Sequence, residues 1–183
     1  SGTDAFYRYP WAPSEIVSYP DANGLPTWAE IWAPPATPNE AAVIYAHGCG
    51  ECAQAVDKGW TRVSARVYAN YLRQNGYMAA SIDYRGSSGY GHANRTYAYR
   101  QMGISDIDSG LPLLDLLAAN YGVDPTRIGV YGGSYGGFYT LMSLFRHPGR
   151  YAAGVSLYPV TDWAHYNQGY TSRILNGSQL DDE

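Results

Sequence analysis

Gly132-Gly133-Ser134-Tyr135-Gly136 combines a serine with closely spaced glycines in a G-x-S-x-G pattern. This spacing suits a nucleophile elbow, in which the chain turns sharply from a strand into a helix and projects the serine hydroxyl at the sheet edge. The flanks fit. Arg127-Ile128-Gly129-Val130-Tyr131 is a short apolar run ahead of the motif, and Phe138 to Phe145 is an apolar stretch able to form a helix behind it. A serine hydroxyl is a weak nucleophile without a base to take its proton. In this arrangement the partners follow in chain order, an Asp or Glu and then a His. Only His147 and His165 follow Ser134. His147 sits just past the helix, before Pro148. Asp162 and His165 satisfy the order but are three residues apart. Triad members converge from separate loops, so a turn-spaced pair is a poor base for Ser134.

The negative oxygen formed by serine attack needs preorganised donors. One is expected to be the backbone N–H of Tyr135, the residue after the nucleophile, and the other an N–H from the loop after the third strand. That loop reads His47-Gly48-Cys49-Gly50-Glu51-Cys52. The favoured donor there is the N–H of Cys49. His47 either contributes to the same hole or shapes the loop by hydrogen bonds. The Cys-Gly-Glu-Cys spacing also admits a redox pair or half a zinc site. Without a second cysteine pair or a suitably spaced histidine, a structural or incidental role is favoured and no metal or cofactor is expected. Arg85 and the glycine loop Gly86-Ser87-Ser88-Gly89 are expected to be structural, the Arg pairing with a carboxylate such as Asp83 or Asp106. No Lys-Ser/Thr follows that loop in phosphate-binding register.

The elements that must hold these residues alternate. Glu15–Tyr19 and Thr27–Trp32 read as antiparallel strands around an Asp21-Ala22-Asn23-Gly24 turn. Ala41–Ala46, Met78–Asp83 and Tyr151–Leu157 read as buried strands, with 127–131 between the last two. Helical patterns fill Arg62–Gln74, on Val63, Val67 and Tyr71, and Ser105–Ala119, where Ser105 or Asp106 can cap and Pro112 bends the helix or delays its start. Residues 1–14 are irregular. Alternating strands and helices imply a parallel sheet with right-handed crossovers.

The 183 residues suffice for one domain, and 45% hydrophobic content with 15% charge makes it globular. A net charge of −4 with no basic run argues against nucleic acid as a partner. No apolar stretch is long enough to span a membrane. Many of the 19 tyrosines and 5 tryptophans fill the core, and some can build a substrate pocket. The chain opens at Ser1 without a signal-peptide pattern and closes on the polar Leu180-Asp181-Asp182-Glu183, so both ends are expected to be cuts.

Several long motifs in order carry a resemblance. They are Asp83-Tyr84-Arg85-Gly86-Ser87-Ser88-Gly89-Tyr90-Gly91, Tyr121-Gly122-Val123-Asp124-Pro125, Tyr131 to Gly137, Pro159-Val160-Thr161-Asp162-Trp163 and Gly169-Tyr170-Thr171-Ser172. From about Trp11 to Asn176 the chain resembles the catalytic domain of the prolyl oligopeptidase family of serine peptidases, in its dipeptidyl-peptidase-like and acylaminoacyl-peptidase-like branches. The resemblance implies an α/β-hydrolase fold, a mostly parallel sheet with helices on both faces, incomplete at its C-terminal end. It implies Ser134 as nucleophile, a peptide as substrate, and a catalytic Asp and His beyond residue 183. Residues 1–14 would be a linker leaving an N-terminal β-propeller, and 15–183 part of the hydrolase domain. Trp163, Tyr166 and Tyr170 match the aromatic wall that receives the side chain before the scissile bond, although their spacing also suits ordinary helix packing. Relatives carry His-Gly-Gly-Pro, His-Gly-Ala-Gly or Tyr-Gly-Gly-Pro where this chain has His47-Gly48-Cys49-Gly50. Where the first residue is Tyr, its hydroxyl serves the oxyanion hole, and His47 occupies that place. An esterase or lipase-like hydrolase on the same fold, or a non-catalytic fragment, remains the alternative.

Overall fold

Period-two hydrophobicity and buried apolar runs become a six-stranded sheet of order β1-β2-β4-β3-β5-β6 in the computed structural model, which describes residues 2–176. The strands are β1 (Glu15–Pro20), β2 (Pro26–Trp32), β3 (Ala42–Ala46), β4 (Met78–Asp83), β5 (Ile128–Gly133) and β6 (Ala153–Leu157). The helices are α1 (Asp4–Arg8), α2 (Val63–Gln74), α3 (Gly91–Thr96), α4 (Ser105–Asp108), α5 (Leu111–Tyr121), α6 (Tyr135–Arg146) and α7 (Gln168–Leu175). β1 and β2 form the expected antiparallel hairpin, and β2 joins β4 antiparallel. β4, β3, β5 and β6 then run parallel. The end Leu180–Glu183 lies outside the described residues.

Alternation along β3 and β4 divides the core in two. Ala42, Ile44, Ala46, Met78, Ala80 and Ile82 pack on one face with Ile107, Leu113, Leu114, Leu117 and Tyr139. Val43 and Ala79 point the other way, to Trp32, Ala69 and Leu72. Helices therefore cover both faces, as the parallel strands require.

Several elements depart from expectation. Residues 1–14 contain α1, whose first turn is capped by the Thr3 hydroxyl accepting from Phe6 N–H at 3.4 Å. The stripe Val63, Val67 and Tyr71 does not face the core: these residues are exposed, and α2 buries Ala65, Ala69, Asn70 and Leu72 instead. Small residues let the helix approach the sheet closely. The expected helix 105–119 is two helices. Pro112 lies in the first turn of α5, where its missing N–H costs nothing, and the break precedes it. Neither Ser105 nor Asp106 caps, because Ile104 holds the cap position of α4 and the Asp106 carboxylate turns inward. β6 is shorter than the expected 151–157 and is not a buried strand. Among the described residues it pairs only with β5, and Val155 and Leu157 are exposed.

Candidate active site

The elbow forms where β5 ends and α6 begins. Ser134 has φ 59° and ψ −121°, a region nearly reserved for glycine. Neighbouring backbone holds it there. Ser134 N–H donates to Leu157 O at 3.0 Å, and Ser134 O accepts from Gly137 N–H at 3.0 Å and Phe138 N–H at 3.1 Å. Gly136 lies against the backbone of β3, and a side chain there would collide with the Ala46 carbonyl. The turn is thus wedged against the neighbouring strand, and its strain is sustained by the sheet. Ser134 itself is half-buried, within reach of an incoming group.

Tyr135 opens the 12-residue α6. Its N–H is one of the first helical N–H groups, which lack an intrahelical acceptor and carry the positive end of the helix dipole. Its ring is buried, and its hydroxyl donates to Asp106 Oδ2 at 2.7 Å. Burial raises the Asp106 carboxyl to about 6 despite that bond. Burial also pushes the Tyr135 phenol well above its ordinary value, so it stays a donor at neutral pH. Asp106 thus fixes the residue that follows the nucleophile. The sequence marks Asp106 as a helix cap or a partner for Arg85, and only the structure places it under Tyr135.

The loop after β3 crosses above the elbow. Gly48 approaches so closely that an added Cβ would stand 3.1 Å from Gly133 O and 3.5 Å from Ser134 Cβ. Cys49 has φ 66° and opens the 3-10 turn Gly50–Cys52. Cys49 and Cys52 are joined as a disulfide. The His47 imidazole is fully buried and stacked on Tyr84 with ring centroids 4.4 Å apart. Its Nδ1 donates to Gly48 O at 2.8 Å, and its Nε2 then accepts from Ser87 Oγ at 2.8 Å. Both nitrogens are committed, so the ring braces the loop from beneath instead of offering a donor to a substrate oxygen. Burial lowers its pKa to about 4 and keeps it neutral. Asp83, 3.5 Å from Nε2, is raised to about 6 by burial although it accepts from Ala55 N–H, Val56 N–H and Tyr90 OH. Arg85 pairs with a carboxylate as expected, but it is Asp21, not Asp83 or Asp106. Asp83 is occupied by the 55–56 backbone and Asp106 lies beneath Tyr135, so Arg85 Nε donates to Asp21 Oδ2 at 2.8 Å and Nη1 to Asn94 Oδ1 at 2.7 Å.

Trp163, Tyr166 and Tyr170 come together. Trp163 packs on Tyr135 at 5.8 Å and on Phe138 at 5.1 Å, Tyr170 stacks on Trp163 at 5.9 Å, and Tyr166 closes the triangle. Tyr170 OH donates to Cys49 O at 3.1 Å, tying this cluster to the loop. The cluster reaches Ser134 through Tyr135. A separate open apolar groove of about 690 Å³ touches Ser134 itself, lined by Val43, Tyr45, Tyr68, Val155, Leu157 and Tyr158 among others and not by the aromatic trio. Tyr158, with φ 36° and its ring against Gly133, is a neighbour of the elbow that carries no sequence signal.

Neither downstream histidine meets Ser134. His165 Nδ1 and Asp162 Oδ2 are 2.8 Å apart, but the imidazole is 86% exposed and bonded only within its own turn. His147 caps the far end of α6, roughly 18 Å along the axis, where Nε2 meets Asp108 at 2.8 Å. Among the described residues no cluster of three His, Cys, Asp or Glu side chains could hold a metal. No helix among them is long and apolar enough to cross a membrane.

A serine on a glycine-wedged strand-to-helix turn, in a mixed sheet covered on both faces, defines an α/β-hydrolase domain. The model of the prolyl oligopeptidase family matches residues 63–183. The chain belongs to that family of serine peptidases. It is 30% identical over 169 residues to dipeptidyl peptidase 8 of Homo sapiens, a match covering 90% of this chain and 19% of that protein. Among solved structures it resembles the Porphyromonas gingivalis dipeptidyl peptidase 4, with a TM-score of 0.81, 29% identity, and coverage of 98% of this chain and 25% of that one. A puromycin hydrolase is similar with a TM-score of 0.77 and 26% identity, over 92% of this chain and 26% of that one. The chain thus spans about a fifth to a quarter of these relatives.

Proposed function

We propose that this chain supplies the nucleophile, the oxyanion donors and one pocket wall of a serine peptidase that cleaves short peptides. The supporting observation is the backbone of Ser134, held at φ 59° and ψ −121° at the head of α6. Ser134 Oγ attacks the scissile carbonyl and gives its proton to a histidine supplied, with its aspartate, by polypeptide beyond residue 183. The N–H groups of Tyr135 and Cys49 receive the oxyanion, and the tetrahedral adduct expels the amine to leave an acyl group on Ser134. Water then releases the acid by the same path. Trp163, Tyr166 and Tyr170 receive the side chain before the scissile bond, and their flat faces suit proline or a small apolar residue. Residues 1–14 serve as the linker from a preceding propeller.

A second reading, an esterase on the same site, is favoured by the apolar groove that reaches Ser134. Turnover of an Ala-Pro-anilide and of a p-nitrophenyl ester by the full-length polypeptide separates the two. Efficient anilide cleavage, lost in Ser134→Ala, is expected. Ester turnover alone refutes the peptidase, and fluorophosphonate labelling anywhere but Ser134 refutes the nucleophile.

A further inference from the structure

The proposed function uses one backbone N–H of the Cys49-Gly50-Glu51-Cys52 loop and leaves its two sulfurs without a task. They are bonded to each other, with Cα atoms 5.4 Å apart. The bond closes a small ring around the 3-10 turn, inside which Cys52 N–H donates to Cys49 O at 3.2 Å. Cys49 sits at φ 66°, a left-handed conformation that a residue with a side chain leaves unless it is held. Three constraints hold it. They are the bond to Cys52, the turn hydrogen bond, and the Tyr170 hydroxyl on the same carbonyl at 3.1 Å. On either side, Gly48 abuts Ser134 and Gly50 abuts the rings of Tyr135 and Tyr170. No residue without contact to the site separates the disulfide from the nucleophile. Cys52 is exposed and Cys49 half-buried, so a dissolved thiol can reach the bond.

We propose that Cys49–Cys52 is a thiol-responsive latch on the oxyanion loop, closed and competent when oxidised, slack and weakly active when reduced. The inference rests on the assignment of Ser134 and the Cys49 N–H made above. A small dithiol opens the latch in two exchange steps. Its thiolate attacks Cys52 Sγ, the bond between the two cysteines breaks, and Cys49 leaves as a thiolate and takes up a proton. The second thiol of the reagent then attacks the mixed disulfide, releasing Cys52 as a thiol and the reagent as a cyclic disulfide. Two electrons pass from the dithiol to the cysteine pair. Cys49, freed from its ring, turns out of the left-handed region, and the Gly48–Cys49 peptide no longer aims its N–H at the site. Loss of one oxyanion donor lowers turnover by roughly 100- to 1,000-fold in a serine hydrolase. A loosened donor should therefore cost at least about ten-fold.

The test uses the full-length polypeptide, air-oxidised or treated with dithiothreitol, with the two thiols counted by iodoacetamide alkylation and mass spectrometry. The readouts are kcat and KM on an Ala-Pro-anilide, the rate of fluorophosphonate labelling at Ser134, and amide hydrogen exchange over residues 47–53. Reduction should lower kcat and labelling at least about ten-fold while KM moves less. It should also speed exchange in the loop, and oxidised glutathione should restore all three. Cys52→Ser, changed at an exposed side chain, should match the reduced protein and ignore dithiothreitol; Cys49→Ser is the second variant. Complete thiol release with unchanged kcat and labelling overturns the latch and leaves the peptidase standing. Absence of the bond in the oxidised protein does the same. No labelling of Ser134 in either redox state overturns the peptidase reading and the latch with it, and the missing label in both states tells this failure apart from the other two.

Discussion

Replacing Ser134 by glycine should stabilise the protein relative to replacing it by alanine, although both variants lose the nucleophile. At φ 59° and ψ −121° the serine occupies a region where a Cβ costs about 1–3 kcal/mol. Alanine keeps that Cβ and therefore the strain. Glycine removes the strain but adds unfolded-chain freedom worth about 0.5–1 kcal/mol. Taken at the middle of both ranges, the difference leaves the glycine variant about 1 kcal/mol more stable than the alanine variant. Little else changes, because Ser134 is only half-buried and its side chain makes no capping hydrogen bond to α6. Urea denaturation of the two variants, followed by tryptophan fluorescence, measures the difference directly, and a melting scan should show a rise of about 2–4 °C per kcal/mol. Equal stability, or a less stable glycine variant, would show that the elbow is not strained by its side chain.

Gly136→Ala should cost several kcal/mol, at the top of the roughly 1–3 kcal/mol range for overpacking, because its new methyl meets the Ala46 backbone carbonyl, which cannot rotate away. Soluble expression and urea midpoint check this, and near-normal stability would mean that α6 can slide on β3. His47 is held neutral with its pKa lowered from 6.5 to about 4 by burial. The native state then binds fewer protons than the unfolded chain across that window. This contribution to stability is complete above 6.5 and is lost as the pH falls toward 4. His47→Gln should reduce the stability lost between pH 7 and pH 4.5 by about 2–3 kcal/mol, and an unchanged difference refutes the burial argument. Asp106 runs the other way. Its carboxyl is raised from 3.8 to about 6, so its contribution is present below 3.8 and lost as pH rises through 6. Asp106→Asn should therefore flatten the loss on that alkaline side in the same titration. In the full-length polypeptide, Tyr166→Ala should raise KM and lower kcat for proline or alanine substrates, together costing about 1–3 kcal/mol. Unchanged kinetics would return the aromatic cluster to a packing role.

What the sequence settles by itself is local. The elbow needs only a run of small residues between an apolar strand and an apolar helix, so Gly132, Ser134 and Gly136 declare it directly. Aspartate and glycine between two alternating runs likewise declare the β1–β2 hairpin, and four apolar runs separated by helices declare the parallel sheet. The aromatic trio also sits within eight residues of chain, so its spacing is visible in the sequence. Tertiary structure alone decides which polar groups are buried and against whom. Arg85 finds Asp21, 64 residues away, because the two carboxylates nearer in the motif are already taken by the 55–56 backbone and by Tyr135. His47 becomes an internal brace because Tyr84 and Ser87 arrive from the next strand and its loop to enclose it. The large apolar residues of α2 point to the wrong inward face, because the helix buries Ala65, Ala69 and Leu72 instead. The sheet selected its alanines, since close approach of two backbones buries more surface than a bulky side chain that holds them apart.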